Sequence, residues 1–441
     1  MSGNNRRNHI AVVGAGWAGL AAAIAAHEAG QAITVFEAAR SPGGRARTVQ
    51  HHHSQAPTAA LDNGQHILIG AYTETLALMR RVGVNPDQVL LRLPLALVDA
   101  RGQGLALPDL PPPWDALVGI ARTRGWSWSE RLALLRCALD WRLGGFTCSP
   151  GDTVADLCHG LPGRLWDDFI EPLCVSALNT PGDQASGEVF LRVLRDALFG
   201  GRGGSHLLLP RTDLGGLLPD AALAWLRARG ASVHLGRRVQ SLCAARNTAW
   251  EIDGEPFDAV VLATPAWDAA RLCRQAAESR PDGGAAARLR AWSEQARALT
   301  HTAITTVYAL GSTPLARPML ALRAAPGAPA QFVFDRGQLG GPSGMLAFVV
   351  SASAGERTVL AEQVTQQARD QLGQTVRPVQ VLCERRATFA CTPGLQRPAT
   401  AVAPALWAAG DFVAGPYPAT LEGAVRSGLA AGRAASGRER P

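Results

Sequence analysis

Three glycines and one acidic residue near the amino terminus have the spacing that binds the phosphates of a dinucleotide. Gly14, Gly16 and Gly19 follow a short apolar segment, and Glu37 ends the next one. Glycines at this spacing permit a tight turn, close approach of the backbone to a pyrophosphate and close packing of the helix that follows. Glu37 can accept hydrogen bonds from a ribose diol, and its charge opposes a 2′-phosphate. The pattern predicts a dinucleotide site that does not take NADP.

The elements that must position these four residues form one βαβ unit. Residues 9–13 and 32–36 are short apolar runs typical of buried strands, and 20–29 contains good helix formers before Gly30. The helix begins directly after the glycines, so its N-terminal N–H groups and dipole face the phosphates. A strand, glycines, a helix, a strand and an acid in this order are far more specific than the glycines alone.

His66 is the first candidate for proton transfer. It follows Gly64 and Gln65, where the backbone is expected to approach the cofactor and direct the imidazole to its reacting face. The alternative is a structural histidine that is hydrogen-bonded in a turn. Residues 67–81 after it have the spacing of an amphipathic helix.

Asp168 and Glu171 are two further candidate acids. They are three residues apart, so they share one helix face if 163–178 is helical. The alternatives are a solvated face or an ion pair between Asp168 and Arg164, and neither of these involves catalysis.

Several kinds of chemistry are excluded or disfavoured. The sequence contains no lysine, which removes any mechanism that needs a side-chain amine. His51, His52 and His53 have no carboxylate or cysteine at ligand spacing, so we expect a solvated loop and no metal. The eight cysteines form no C-x-x-C pair, as expected for reduced thiols in a cytoplasmic protein.

The composition bounds the architecture and the partners. A chain of 441 residues with 47% hydrophobic residues has material for two domains with real cores. The net charge of +7 comes from scattered arginines and fits no nucleic-acid module, so no nucleic-acid partner is expected. The sequence has neither a signal peptide nor an apolar run of about 18 residues, so we expect no membrane-spanning helix.

The order of motifs along nearly the whole chain resembles that of the FAD-dependent amine oxidases and carotenoid desaturases. The shared motifs are the N-terminal fingerprint, Gly43-Gly44-Arg45, Val239, Ala263-Thr264-Pro265, Gly410-Asp411 and Glu422-Gly423-Ala424. Within that superfamily, residues 62–72, 171–180 and 386–389 are similar to the squalene-associated branch, whose bacterial members dehydroxylate hydroxysqualene for hopanoid synthesis.

The resemblance implies an α/β fold, in which a Rossmann-like FAD-binding domain of the glutathione-reductase type is interleaved with a mixed α+β substrate domain. The first is expected to gather 1–85, 205–275 and 396–441, and the second 86–204 and 276–395. It also implies FAD as the cofactor, and we expect the FAD to be bound noncovalently because no cysteine or histidine lies in a recognisable flavin-attachment motif. The residues that match the family's FAD contacts are Gly14, Gly16, Gly19, Glu37, Gly44, Arg45, Gly64, Val239, Gly410, Asp411, Gly423 and Ala424.

The function that the resemblance implies is reductive dehydroxylation of hydroxysqualene to squalene, with hydride from FAD and electrons from an external donor. The partner would be a hydrophobic isoprenoid. Three alternatives remain open: a phytoene-type carotenoid desaturase, which runs the flavin in the opposite direction; an amine oxidase, although that group commonly uses a lysine; and a non-catalytic protein that binds flavin or isoprenoid.

An insoluble substrate of this kind suggests attachment at the surface of the inner membrane. The candidate patch is 111–128, where Trp126 and Trp128 lie beside Arg122 and Arg124, and the helix expected at 129–143 is the second candidate. The alternative for this segment is a mobile surface loop or part of the domain core.

Overall fold

The computed structural model describes residues 7–50, 60–245, 249–279 and 283–437. The three consecutive histidines at 51–53, which we expect to bind no metal, lie outside the described residues. Within the described ranges the chain alternates between short strands and helices over its whole length.

The strands of the described residues are β1 His9–Val13, β2 Ala32–Glu37, β3 Thr48–Gln50, β4 Ala60–Asp62, β5 Leu68–Ile69, β6 Leu90–Leu93, β7 Ala96–Val98, β8 Gly104–Ala106, β9 Leu207–Pro210, β10 Ser232–Leu235, β11 Leu242–Ala244, β12 Trp250–Ile252, β13 Glu255–Phe257, β14 Ala259–Leu262, β15 His301–Leu310, β16 Met319–Ala321, β17 Phe332–Asp335, β18 Met345–Val350, β19 Arg377–Phe389, β20 Ala401–Ala403 and β21 Leu406–Ala408.

The helices of the described residues are α1 Trp17–Glu28, α2 Thr73–Arg81, α3 Pro86–Val89, α4 Trp114–Arg122, α5 Trp128–Leu143, α6 Val154–Leu157, α7 Gly163–Leu165, α8 Glu171–Leu178, α9 Gly187–Phe199, α10 Leu214–Leu217, α11 Pro219–Arg227, α12 Ala266–Glu278, α13 Gly283–Arg297, α14 Arg357–Leu372 and α15 Leu421–Ala435. A π-helical turn at Trp166–Ile170 joins α7 to α8, and a 3₁₀ turn occupies Arg336–Leu339.

A six-stranded sheet in the order β10-β2-β1-β14-β21-β20 holds the glycine motif. Its first five strands run parallel, and β20 is antiparallel. Val13 lies between Phe36 and Leu262, so the glycine turn begins at the carboxyl edge of the sheet. Ligands of open parallel sheets bind at this edge, which makes it the expected place for the cofactor.

Helices α1 and α15 pack closely against each other beside this sheet. A Cβ atom at Gly428 would overlap the carbonyl oxygen of Ala18, and one at Gly432 would overlap that of Ala22. Helix α1 is buried on almost its whole circumference, as its alanine-rich sequence allows. The two glycines therefore bring the C-terminal helix to the N-terminal βαβ unit.

A second, antiparallel sheet in the order β16-β17-β18-β15-β19 is built from residues 301–389 and carries α14 on one face. A smaller sheet in the order β5-β9-β6 lies at the edge of the cavity described below. The fold is thus α/β at the cofactor side and α+β at the other, and the fold-class prediction is confirmed.

One strand pair and one helix connect the two predicted domains. Strand β6, in the predicted substrate domain, pairs with β9, in the predicted FAD-binding domain, and the boundary at 275/276 falls inside α12. The division into two interleaved domains stays a prediction.

The expected helix at 67–81 is shorter than its hydrophobic pattern suggests. Ile69 pairs with Leu207 as part of β5, and α2 begins only at Thr73. A Cβ atom at Gly70 would overlap the carbonyl oxygen of Gly203, so the chain must pass this point without a side chain. Tertiary contact has overridden a helical pattern here.

In the described part of the chain, no helix combines the length and the apolar character that a membrane span requires.

Candidate functional site

A cavity of about 890 Å³ extends from the carboxyl edge of the parallel sheet into the space between the second sheet and helices α4, α5, α8 and α9. One part is lined by the glycine turns and by charged residues, including Glu37, Arg45 and Asp411. The other part is lined mainly by apolar side chains. A polar cradle therefore opens directly into an apolar chamber.

The glycine turn leaves backbone exposed to the cavity. Gly14 has φ +112°, and a Cβ atom there would overlap the carbonyl oxygen of Ala263. A Cβ atom at Gly16 would meet only Gly44, at 3.8 Å, and both residues line the cavity. Gly19 does not line it; its missing side chain lets α1 pack against the carbonyl of Gly14. Gly16 is thus the position where a ligand can approach the backbone closely.

Glu37 holds the glycine turn in place. One carboxylate oxygen accepts from the backbone N–H of Ala15 at 2.7 Å, and the other accepts from Ala39 at 2.8 Å. A carboxylate has about four acceptor positions, so two remain for a ribose diol. Glu37 lines the cavity, as its predicted role requires.

Arg45 and Asp411 line the cavity and form an ion pair. The guanidinium also donates to the carbonyl of Ala387 at 2.9 Å. Gly410, next to Asp411, is held by a hydrogen bond of 2.9 Å from its N–H to the hydroxyl of Ser427 on α15. Arg45, which is one of the predicted FAD contacts, and the C-terminal Gly410-Asp411 motif therefore meet at one place.

The remaining predicted cofactor residues differ in their position. Gly64, Val239 and Ala424 line the cavity. Gly423 does not, and a Cβ atom there would overlap the carbonyl oxygen of Tyr417, so this glycine serves packing below the cavity. Val239 lies in the loop before β11, which begins at Leu242.

This arrangement fits FAD. A closely approachable backbone at Gly16, an acid at the end of β2 and a helix N-terminus at Trp17 are the three features that an adenine dinucleotide needs. Within the described residues no group of His, Cys, Asp and Glu is arranged to hold a metal ion.

His66 lies at the junction of the polar cradle and the apolar chamber. Its ring lines the cavity, and no hydrogen bond to it is present among the described residues. Burial, together with the positive charge of Arg45, lowers the pKa of His66 to about 4. The imidazole is therefore neutral at neutral pH, so His66 must first take up a proton before it can act as a proton donor.

Asp168 and Glu171 lie outside the cavity lining. Asp168 pairs with Arg164 at 3.2 Å and also with Arg323, and Glu171 accepts from the backbone N–H of Gly182 at 2.9 Å. The π-helical turn before Glu171 breaks the 3.6-residue period on which their shared face depended. The structure gives no support to either residue as a catalytic acid.

The two candidate membrane tryptophans have opposite environments. Trp126 is 5% exposed and packs edge-on against Phe169, with ring centroids 5.9 Å apart, so its assignment to a surface patch is wrong. Trp128 is 74% exposed. The sequence around these two tryptophans does not show which of them is buried, because burial depends on what packs against each ring.

Tyr72 and Tyr417 are cavity residues that the sequence reasoning did not assign a role. Their rings form an edge-to-face pair with centroids 6.2 Å apart. Tyr417 has φ +58°, an uncommon value for a residue with a side chain. Burial raises the pKa of Tyr72, so its phenol stays protonated. Its place in the 62–72 motif was the signal that could have identified it.

Comparison with known proteins agrees with this geometry. The family model described as "Flavin containing amine oxidoreductase" matches residues 17–435. The chain is 29% identical to the hydroxysqualene dehydroxylase of Rhodopseudomonas palustris, over 96% of this chain and 99% of the relative. It is 26% identical to that of Zymomonas mobilis, over 95% of this chain and 97% of the relative.

Among solved structures, cyclohexylamine oxidase from Brevibacterium oxydans superposes with a TM-score of 0.67 at 15% identity. The match covers 98% of this chain and 99% of that one. At this identity the likeness concerns the fold.

Proposed function

The chain belongs to the family of flavin-containing amine oxidoreductases, and we propose that it is a hydroxysqualene dehydroxylase with FAD as its cofactor. The observation that carries the proposal is the full-length similarity to two dehydroxylases of that name. The apolar chamber that opens from the cofactor cradle supports the proposal, because a C30 isoprenoid needs a binding site lined by apolar side chains.

The reaction replaces an allylic hydroxyl group with hydrogen. When bound, the reduced flavin supplies the hydride that ends on the allylic carbon. The C–O bond breaks, the departing oxygen takes a proton, and the products are squalene and water. The protein must therefore hold the isoprenoid, exclude water and deliver one proton, while an external reductant restores the cofactor.

His66 is the residue that we propose as proton donor. It is the imidazole at the junction of the two parts of the cavity, and its low pKa makes the protonated form a strong acid toward a leaving hydroxyl. Because that form is scarce at neutral pH, the reaction should accelerate as the pH falls.

The chamber walls supply the other two requirements. Aromatic and aliphatic side chains exclude water, and the chamber contains Trp141, Phe146, Phe169, Phe332 and Phe334. The faces and hydroxyl dipoles of Tyr72 and Tyr417 can stabilise positive charge that develops as the C–O bond breaks.

An anaerobic product assay tests the proposed function. Purified protein with reduced FAD and hydroxysqualene should give squalene. Protein that leaves hydroxysqualene untouched, yet adds double bonds to phytoene with oxidised FAD, would instead be a carotenoid desaturase. Failure of both reactions with flavin bound would favour the non-catalytic alternative.

We also propose that the protein takes its substrate from the surface of an anionic bilayer. Helices α4 and α5 expose a stripe of large apolar side chains: Trp114, Leu117, Trp128, Leu132, Leu139 and Leu143. On α5 these positions share one face at helical spacing, and the basic side chains Arg122, Arg124 and Arg136 are exposed around them.

The opposite face of α5 supports this proposal. Leu134, Ala138 and Trp141 follow at helical spacing and line the cavity. One helix thus has the apolar chamber on one side and the exposed stripe on the other, which would shorten the path of an insoluble substrate.

Flotation with vesicles that contain anionic lipid tests the bilayer proposal. The double variant Trp128→Ser/Leu139→Ser should stay with the aqueous fraction, while wild type floats. Val359→Ser is the matched control, because Val359 is an exposed apolar residue on α14. Equal flotation of wild type and the double variant would remove this stripe from the proposal.

The interleaved domains remain part of the proposal. A fragment test is unsuitable because the sheet draws strands from both ends of the chain. Limited proteolysis should instead leave the sheet-forming pieces associated after cleavage, and their separation would contradict the arrangement.

A further inference from the structure

Four buried or half-buried polar residues form a closed ring next to His66. Arg336 donates to the side-chain oxygen of Gln65 at 3.3 Å, and the Gln65 amide donates to the hydroxyl of Tyr308 at 2.8 Å. The hydroxyl of Tyr308 donates to the backbone carbonyl of Asp62 at 2.8 Å. The carboxylate of Asp62 lies 3.9 Å from Arg336 and closes the ring.

Every hydrogen bond in this ring has a fixed direction. Arginine can only donate, so the oxygen of the Gln65 amide must face Arg336 and the NH₂ group must face Tyr308. Tyr308 accepts from Gln65, so its own proton goes to the carbonyl of Asp62. A ring with one consistent set of donors and acceptors fixes its members more firmly than separate contacts do.

The ring joins elements that are far apart in the sequence. Asp62 ends β4, Tyr308 lies on β15 of the second sheet, and Arg336 begins the 3₁₀ turn after β17. Tyr308 is 1% exposed and Arg336 is 9% exposed, so both contacts are shielded from water. Tyr308 on the second sheet and Arg336 on the turn after β17 thus contact both Asp62 and Gln65, the two ends of the 62–65 turn.

His66 follows this turn directly and has no hydrogen bond of its own among the described residues. Its position in the cavity is therefore set by the backbone of the turn. Gln65 transmits this restraint, because its amide accepts from Arg336 and donates to Tyr308.

We propose that Tyr308 and Arg336 are positioning residues, which act through Gln65 to hold the imidazole of His66 at the junction of the cofactor cradle and the apolar chamber. That this position of His66 serves proton donation rests on the proposed function. The placement itself can be measured without substrate.

NMR of ¹³C-labelled histidine in the flavin-loaded protein measures the placement, with His66→Gln to assign the signal. Tyr308→Phe removes one hydroxyl and frees one end of Gln65. The His66 ring should then become better solvated, and its pKa should rise by about one unit or more toward the ordinary value. Arg336→Met should have the same effect, and Arg336→Lys should restore part of the wild-type value.

Arg323→Met is the matched control, because it removes an arginine of another ion pair, that with Asp168, outside the cavity lining. It should leave the pKa of His66 unchanged. In the dehydroxylation assay, Tyr308→Phe should lower kcat by ~10–100-fold with little change in KM.

Two results separate the possible failures. An unchanged pKa of His66 in both Tyr308→Phe and Arg336→Met, with flavin still bound, would overturn the positioning role. A shifted pKa in a protein that has no dehydroxylase activity would keep the positioning role and remove the proposed reaction.

Discussion

Arg45 and Asp411 form an ion pair although 366 residues of sequence separate them. Arg45 follows the second glycine turn, and Asp411 follows the last strand of the parallel sheet. The carboxylate is 8% exposed, so this pair is more shielded than a surface salt bridge. It joins the N-terminal and C-terminal parts of the cofactor cradle.

Breaking this pair should weaken FAD binding. In Arg45→Met the nearly buried carboxylate of Asp411 loses its cation, and the edge of the cradle loses a positive charge. We expect the Kd for FAD to rise ~10–100-fold, as measured by fluorescence titration. Arg81→Met breaks the exposed Arg81–Glu28 pair, 3.1 Å long, and is the control that should leave the Kd unchanged.

We predict that FAD is bound noncovalently and that its binding depends on Glu37. Acid precipitation of the holoprotein should release the yellow colour into the supernatant; colour in the pellet would mean covalent attachment. In Glu37→Gln one of the two backbone N–H donors, of Ala15 or Ala39, faces an NH₂ group. The resulting loss of about 1.5–3 kcal/mol should appear as weaker FAD binding, with the exposed Glu28→Gln as control.

The contact between α1 and α15 predicts a specific stability defect. Gly428→Ala places a methyl group against the carbonyl of Ala18, and the two helices must separate. Denaturant unfolding should show a loss of about 1–3 kcal/mol. Gly283→Ala, at the start of α13 where a Cβ atom would meet nothing within 4 Å, should be neutral or stabilising. Equal stability of the two variants would contradict the close contact.

The pH dependence of the reaction tests His66. Its pKa is lowered to about 4, and only the protonated form can give a proton to the leaving oxygen. The rate should therefore fall as the pH rises above that value, and the profile should lose this slope in His66→Gln. The variant should also lose ~10²–10⁴ in rate with FAD still bound.

His159→Gln changes an exposed histidine and should keep both the rate and the slope. Full turnover of His66→Gln would return His66 to a structural role.

The sequence by itself determined the cofactor unit and the family. The βαβ fingerprint with Glu37 is a local pattern whose parts lie within 40 residues, so spacing alone describes it. The helix expected at 129–143 is present as α5, and the absence of lysine holds in any fold. The ion pair of Asp168 with Arg164 is also local, at four residues, and was one of the two alternatives for that side chain.

Tertiary structure decided everything that depends on contacts between distant segments. Trp126 is buried and Trp128 is exposed because Phe169 covers only the first. Glu171 faces Gly182 because a π-helical turn shifts the register of its helix. The ring around Gln65 and the pair of Arg45 with Asp411 join strands and turns hundreds of residues apart. Hydrophobic periodicity reports which face of an element is buried, and only packing decides what lies against that face.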